Sequence, residues 1–213
     1  QIPAWVPIQT IWADPHTRHY AFFVAASAFF AFMQDAMLEP FGGDVFGLDV
    51  GTTTRFNAWW GMGVLLAMIS TAILTRKWPP HYHLSTTAIG LAAMGLMMSV
   101  MGLVALMQLE RILYPVLFLF GLGFGLYGIG GYNLLILFNT DDKAGIYLAL
   151  WTVVQLLSRG VGILTGGIIR DLGFAISGSY TIAYALLFGL EALGLFAALY
   201  LLRKVQVEPF VKR

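Results

Sequence analysis

Long apolar runs divided by short polar segments constrain this chain more than any other feature of its sequence. A helix needs roughly 20 mostly apolar residues to cross the hydrocarbon core of a bilayer. Six such runs fit within the 213 residues and leave only short connections between them. We therefore predict an all-α polytopic membrane protein with a six-helix transmembrane bundle over residues 20–204. An interfacial segment or linker at 1–19 precedes the bundle, and a cytoplasmic tail at 205–213 follows it.

The polar turns set the approximate limits of the spans. We place them at about 20–46, 57–74, 84–109, 114–138, 144–169 and 180–202. The far end of the first span contains acidic residues, two glycines and Pro40, so the helix either stops near Leu38 or continues with a bend at Pro40; we favour the bend. The last two turns are predicted at 139–143 and from Arg170 to Gly173.

The low charge content excludes several classes of function. Charged residues make up 11% of the chain, against about 25% in a soluble domain, so little sequence remains for a soluble catalytic domain. The 12 basic and 11 acidic residues form no basic block, which argues against a nucleic-acid binder. The chain has no cysteine, nucleophile elbow, phosphate-binding loop or metalloprotease motif, so we predict neither an enzyme nor a metal site.

The basic residues predict the orientation in the membrane. Cytoplasmic loops carry an excess of Lys and Arg. With a cytoplasmic N-terminus, the inner segments hold eight basic residues and the outer segments three, while Arg159 lies within a span. Both termini are therefore predicted to be cytoplasmic. The inner set is Arg18, Arg76, Lys77, Lys143, Arg203, Lys204, Lys212 and Arg213, and the outer set is Arg55, Arg111 and Arg170.

Charged residues inside the predicted spans are the main candidates for function, because a charge near the bilayer centre costs about 2.5–3.5 kcal/mol on insertion scales. Arg159 and Asp35 lie at similar depths, about 24 and 25 Å from the cytoplasmic ends of their spans at 1.5 Å per residue. We predict that Arg159 pairs with Asp35 or Glu39, and less readily with Glu191. Asp35 and Glu39 are spaced i, i+4, so we expect them to share one helix face, where two carboxylates could share a proton. The set either locks the first span to the fifth or lines a cavity for a substrate, a proton or a pigment substituent.

Two further patterns are open to two interpretations each. One face of the fifth predicted span carries three large or polar residues at intervals of about one helical turn: Trp151, Gln155 and Arg159. This stripe either forms the wall of a cavity or packs against a neighbouring helix. Gly121 and Gly125 have GxxxG spacing, as do Gly162 and Gly166. Glycines at this spacing indicate close helix packing, or else contact with a flat cofactor or a moving gate.

The histidines argue against histidine-ligated pigment within the bilayer. All four are predicted at or near the cytoplasmic surface: His16, His19, His81 and His83. A bound pigment would therefore need a different axial ligand.

Two stretches of the sequence resemble a known family. The first is QDAMLEPFGGDVFGL at 34–48, and the second runs from Asp142 to Trp151 and continues through Gln155, Ser158–Gly160 and Gly166–Gly167. Both closely resemble the bacteriochlorophyll-delivery family of the major facilitator superfamily, which includes the PucC-type light-harvesting assembly proteins. The resemblance is to the C-terminal half of twelve-span proteins, and it covers nearly the whole chain.

The resemblance implies a photosynthetic or cytoplasmic membrane of a phototrophic bacterium. It implies a role in delivering chlorophyll or bacteriochlorophyll, or in scaffolding light-harvesting and reaction-centre subunits. Half of a secondary small-solute transporter is the alternative. The expected partners are those subunits, the lipid bilayer and an N-terminal six-span half. A pigment held by this half would take a non-histidine axial ligand, such as Gln155, Asn133, a carboxylate, a backbone carbonyl or water, and Trp151 is a further candidate contact. Alternatively, the pigment would pack at the outer face on residues of the fourth span: Gly121, Gly125, Phe118, Phe120 and Phe124.

Overall fold

The computed structural model describes residues 15–74, 81–137 and 144–204, and every regular element in these ranges is helical. Most of the predicted interfacial segment, two of the predicted turns and the predicted tail lie outside the described residues. The helices are α1 (Pro15–Ala31), α2 (Leu38–Phe46), α3 (Val50–Thr53), α4 (Arg55–Leu74), α5 (His81–Met107), α6 (Leu113–Leu137), α7 (Ala144–Ser177) and α8 (Tyr180–Leu202), with a 3₁₀ turn at Glu110–Ile112 between α5 and α6.

Five segments of the described chain are long and apolar enough to cross a membrane, which confirms an all-α polytopic membrane protein. They are Val50–Leu74, Tyr82–Met107, Glu110–Leu134, Trp151–Ser177 and Tyr180–Leu202. These segments correspond to the second to sixth predicted spans.

The first predicted span is two helices joined by a break. α1 ends at Ala31, residues 32–37 form consecutive turns, and α2 begins at Leu38. The bend predicted at Pro40 is therefore wrong, because the chain leaves the helix before the proline. Pro40 lies in the first turn of α2, where the backbone N–H that it lacks would have had no partner within the helix. Short turn bonds hold the break, including Met37 N to Gln34 O at 2.8 Å.

The fifth predicted span is longer than its sequence pattern suggested. α7 continues through Arg170 and Asp171 to Ser177, so the turn predicted from Arg170 to Gly173 is wrong. The helix can continue because Arg170 lies against the carboxylates of Asp44 and Asp171 rather than in a solvated loop. The chain turns instead at Gly178, whose φ of 66° is in the left-handed region that favours glycine.

Glycines bring the helix backbones together at two crossings. A Cβ atom at Gly63 of α4 would meet the Phe118 carbonyl of α6, and one at Gly121 of α6 would meet the Trp60 carbonyl of α4. Gly162 and Gly166 of α7 lie in the same way against the backbone of Phe29 and Met33. These contacts support the helix-packing interpretation of the GxxxG pairs.

The arrangement of the helices leaves one side open. α6 packs against both α4 and α5, while α8 packs against α5, α7 and α1. α4 packs with α6, and α1 packs with α7, but α6 and α7 make little contact with each other. A cleft therefore lies between these two pairs of helices. The spans of α4 and α7 are also the least buried of the five.

Candidate functional site

A charged pair joins α7 to the break in the first span. Arg159 Nη2 donates to Asp35 Oδ2 at 2.7 Å, which confirms the predicted pairing. The guanidinium also lies over the Phe32 ring, 4.3 Å from its centroid. The Arg159 side chain is 44% exposed and that of Asp35 is 20% exposed, so the pair lies at the edge of the cleft rather than in the core.

Glu39 takes no part in this pair. Its Oε1 accepts a hydrogen bond from Asn57 Nδ2 of α4 at 2.7 Å. The expectation that Asp35 and Glu39 share one helix face is wrong, because that spacing aligns two side chains only on a continuous helix. The break places Asp35 in a turn and Glu39 in the first turn of α2. The two carboxylates therefore have different partners.

Glu191 lies in the core of the bundle, fully buried within α8. The side-chain amide of Gln34 is oriented so that its nitrogen, rather than its oxygen, faces two acceptors. This nitrogen donates to Glu191 Oε1 at 3.0 Å and to the Ala31 carbonyl at 3.1 Å. Glu191 Oε2 is buried and has no hydrogen-bond partner among the described residues. Arg159 pairs with Asp35 and not with Glu191, so the less favoured predicted pair is absent from the described contacts.

A cavity of about 310 Å³ lies in the cleft between the two pairs of helices. Its walls are mainly aromatic and aliphatic, with polar groups on the α7 side. The lining residues are Phe32, Met68, Phe124, Tyr127, Gly128, Tyr132, Thr152, Gln155, Leu156 and Arg159. The structure therefore brings together three residues selected from the sequence, Arg159, Gln155 and Phe124. Trp151 lies beside this lining, with its ring centroid 4.6 Å from that of Tyr132.

The other residues proposed for pigment contact are engaged elsewhere. α4 covers the faces of Gly121 and Gly125, where a Cβ atom would meet the backbone of Trp60 or Val64. Phe118 lies edge-on to Trp59, with ring centroids 6.4 Å apart. Phe120 is fully buried in the core.

The histidines lie away from the cavity lining wherever their side chains are described. Asn133 Nδ2 lies 3.1 Å from His83 Nδ1, which joins the end of α6 to the first turn of α5. His19 is exposed near the start of α1, and the side chains of His16 and His81 lie outside the described residues. Within the described part of the chain no group of three or more potential metal ligands occurs.

A second polar cluster was not expected from the sequence. Tyr184 donates its hydroxyl to Asp44 Oδ2 at 2.8 Å, and Arg170 Nη1 lies 3.3 Å from the same oxygen. The cluster joins α2, α7 and α8. Asp44 belongs to the acidic stretch noted above, but Arg170 was placed in a turn, so no signal in the sequence connected them.

The fold and this site define a polytopic helical membrane protein with charged side chains held against the break between α1 and α2. The chain matches the PUCC protein family over residues 5–210, and it belongs to that family. No solved structure matches it.

Curated relatives come from phototrophic bacteria. An uncharacterized protein in the puhA-bchM intergenic region of Rhodobacter capsulatus is 33% identical, over 66% of this chain and 29% of its own length. The bacteriochlorophyll synthase 44.5 kDa chain of R. capsulatus is 28% identical, over 87% of this chain and 44% of its own length. Protein PucC of R. capsulatus is also 28% identical, over 83% and 39%. The chain thus spans less than half the length of these relatives.

Proposed function

We propose that this chain belongs to a photosynthetic membrane accessory protein that handles chlorophyll or bacteriochlorophyll while light-harvesting and reaction-centre complexes assemble. Membership of the PUCC family supports this proposal, as does the relative whose name refers to bacteriochlorophyll. In this proposal the chain is a scaffold and carrier, with no catalytic role.

The observation that carries the proposal is the chemistry of the cavity. Its aromatic walls suit a flat macrocycle, and the Gln155 amide and the Arg159 guanidinium offer polar contacts on one side. Its volume of about 310 Å³ accommodates only part of a tetrapyrrole, such as a ring edge with its substituents. The rest of such a ligand would extend into the open cleft. Gln155 would hold the pigment through its side-chain oxygen, and the pigment would supply a magnesium ion that accepts such an oxygen.

We further propose that the open side faces a second six-helix unit, as in a major facilitator fold with this chain as one half. The chain spans less than half of its relatives' length, and α4 and α7 present exposed apolar side chains beside the cavity: Leu156 is in its lining, and Leu65 lies one helical turn from Met68, which is also in the lining. Both termini would be cytoplasmic, as the distribution of basic residues predicts. Antenna and reaction-centre subunits would then contact the opposite face, where Leu96 of α5 and Leu193 of α8 are exposed.

Pigment content provides the first test. The protein is purified in mild detergent from the membranes of a phototrophic host, and pigment per chain is measured from its absorption spectrum. We expect near-stoichiometric pigment, lowered by Gln155→Leu and by Phe124→Ala. Phe118→Ala is the matched control, because Phe118 lies on the same helix but outside the cavity lining. Equal pigment loss in all three variants, or a colourless protein that gains no pigment when bacteriochlorophyll is added, would contradict the proposal.

Crosslinking tests the proposed surfaces. Because the chain has no cysteine, single cysteines can be introduced at Leu65, Leu156 and Leu193. We expect Leu65→Cys and Leu156→Cys to crosslink to the second six-helix unit, and Leu193→Cys to antenna or reaction-centre subunits. The reverse pattern would show that the assignment of the two faces is wrong.

One observation favours a transporter half as a second candidate. Discontinuous helices near the bilayer centre form the ion and substrate sites of many secondary transporters, and the break at residues 32–37 carries Asp35. Proteoliposomes with a trapped pH-sensitive dye test this alternative. Faster decay of an imposed pH gradient than in empty liposomes, together with a colourless protein, would favour it over pigment handling.

A further inference from the structure

Glu191 is the one buried charged residue in the described core, and its surroundings do not suit a carboxylate anion. Within the described residues no cation contacts it, and only Oε1 accepts a hydrogen bond, from Gln34. Oε2 is buried without a partner. An unpaired carboxylate in an apolar interior is far more costly than its neutral acid, so such a group takes up a proton.

The elements packed against Glu191 offer it no compensating charge, and α1 has no acidic or basic residue between Tyr20 and Ala31. From the break, Asp35 faces it with a negative charge. α7 contributes Arg159, whose guanidinium is bound to Asp35. α5 has no acidic or basic residue between Leu84 and Met107. The two carboxylates of α2 have other partners. Glu39 accepts a hydrogen bond from Asn57. Asp44 is bound by Tyr184 and Arg170.

The route from this carboxyl to water runs through the break. Arg159 lines the cavity and is 44% exposed, Asp35 is 20% exposed, and Glu191 is 0% exposed. Asp35 follows Gln34 directly in the chain, and the Gln34 side chain donates a hydrogen bond to the Glu191 carboxyl. In this order of exposure Asp35 lies between Arg159 at the cavity and the buried Glu191. The break makes this arrangement possible. At residues 32–37 the backbone forms turn bonds instead of continuing the helical hydrogen bonds of α1, so Gln34 and Asp35 are not on a continuous helix.

We propose that Glu191 and Gln34 form a buried proton-binding site, which exchanges its proton with the cavity through Asp35. In this conformation the proton resides on the Glu191 carboxyl, and the Arg159–Asp35 pair lies between it and water. Proton release would leave an anion next to Asp35, so loss of the proton and opening of the pair are coupled. The site stands apart from the pigment proposal, because its residues bind a proton whether or not pigment is present.

Infrared spectroscopy of the full-length protein in liposomes tests the site. At pH 8 exposed carboxyl groups are ionised, so a carbonyl band of a protonated carboxylic acid reports a buried one. We expect this band in the wild type and its loss in Glu191→Gln, which keeps the side-chain shape. We expect it to persist in Gln34→Leu, shifted to higher frequency because the carbonyl loses its hydrogen bond. The shift identifies Glu191 even if Glu191→Gln fails to fold.

The exchange step has its own readout. In D₂O we expect Asp35→Asn to slow deuterium exchange of the band roughly 100-fold, the lower range for removing a positioned proton-transfer group. Glu110→Gln, in the exposed 3₁₀ turn, should leave exchange unchanged.

Three results would overturn the proposal: no band at pH 8 in the wild type, a band that Asp35→Asn abolishes while Glu191→Gln retains it, or a band that disappears when sodium is added at constant pH. Unchanged exchange in Asp35→Asn would overturn the route through Asp35.

Discussion

Arg159 Nη2 lies 2.7 Å from Asp35 Oδ2, so a single contact joins α7 to the turns that interrupt the first span. About three helical turns further along α7, Arg170 Nη1 lies 3.3 Å from Asp44 Oδ2 of α2. One pair holds α7 against the break itself, and the other holds it against α2, which follows the break. A break that would otherwise expose backbone groups in the membrane is thus supported by side chains of a neighbouring helix.

Removing the Arg159 side of the first pair should destabilise the bundle. We expect Arg159→Leu to lower the free energy of unfolding by about 1–3 kcal/mol, because Asp35 keeps its charge in a largely buried position. The double variant Arg159→Leu with Asp35→Leu should recover part of this loss, since an apolar pair leaves no charge without a partner. Thermal unfolding in detergent measures both effects.

Arg111→Leu is the matched control for this experiment, because Arg111 lies exposed in the 3₁₀ turn. If Arg159→Leu unfolds at the temperature of the control and assembles normally, the pair does not hold the two elements together.

The crossing of α4 and α6 should tolerate no side chain at its glycines. We expect Gly121→Ala to cost about 1–3 kcal/mol, the usual range for overpacking, because the new Cβ would meet the Trp60 carbonyl. Gly61→Ala is the control within α4, since a Cβ there meets nothing within 4 Å. It should be neutral, or stabilising by up to about 1 kcal/mol through helix propensity. Equal unfolding temperatures for the two variants would contradict the close crossing.

The sequence allowed the Arg159–Asp35 pair to be predicted because depth in a membrane helix follows from a constant rise per residue. The polar turns predicted the approximate positions of the spans, but the structure differs at the break in the first predicted span and at the end of the fifth. Arg170 and Asp171 were read as a turn because their partner Asp44 is distant in sequence.

The break at 32–37 could not be predicted for a related reason. Its position depends on Gln34 reaching Glu191 and on Asp35 reaching Arg159, and both are tertiary contacts. Pro40 gave a strong local signal at the wrong residue, because a proline in the first turn is compatible with a new helix. Three lining residues were selected from the sequence, Gln155 and Arg159 as part of a helical stripe and Phe124 as an aromatic residue of the fourth predicted span, whereas Tyr127 and Tyr132 carried no separate signal.

Acid should loosen the short helix α3. The hydroxyl of Thr52 donates to Asp49 Oδ2 at 2.6 Å, and its backbone N–H donates to Oδ1 at 3.2 Å. These bonds hold the pKa of Asp49 below its ordinary value of 3.8. A lowered folded-state pKa means that the stabilisation is present above the unfolded pKa and is lost as the pH falls through the folded pKa.

We therefore expect hydrogen-exchange protection of the Val50–Thr53 amides, corrected for intrinsic rates, to fall between about pH 5 and pH 2. Asp49→Asn should remove this dependence, because asparagine also caps helices but does not titrate in this range. If the variant keeps the same pH dependence, Asp49 is not the responsible group.

The hydroxyl of Tyr184 should contribute to holding α2 against α8. Tyr184→Phe removes the 2.8 Å hydrogen bond to Asp44 while keeping the ring contact with Phe41, whose centroid lies 5.1 Å away. We expect Tyr184→Phe to lower the free energy of unfolding by about 0.5–1.5 kcal/mol, the net value of one hydrogen bond, because Arg170 remains beside the carboxylate.

Tyr200→Phe on the exposed face of the same helix should cost less. Asp44→Asn should cost more than Tyr184→Phe, since it weakens the contacts of both Tyr184 and Arg170. Unfolding in mixed micelles would measure the order of the three variants, and any other order would mean that Asp44 is not the centre of this cluster.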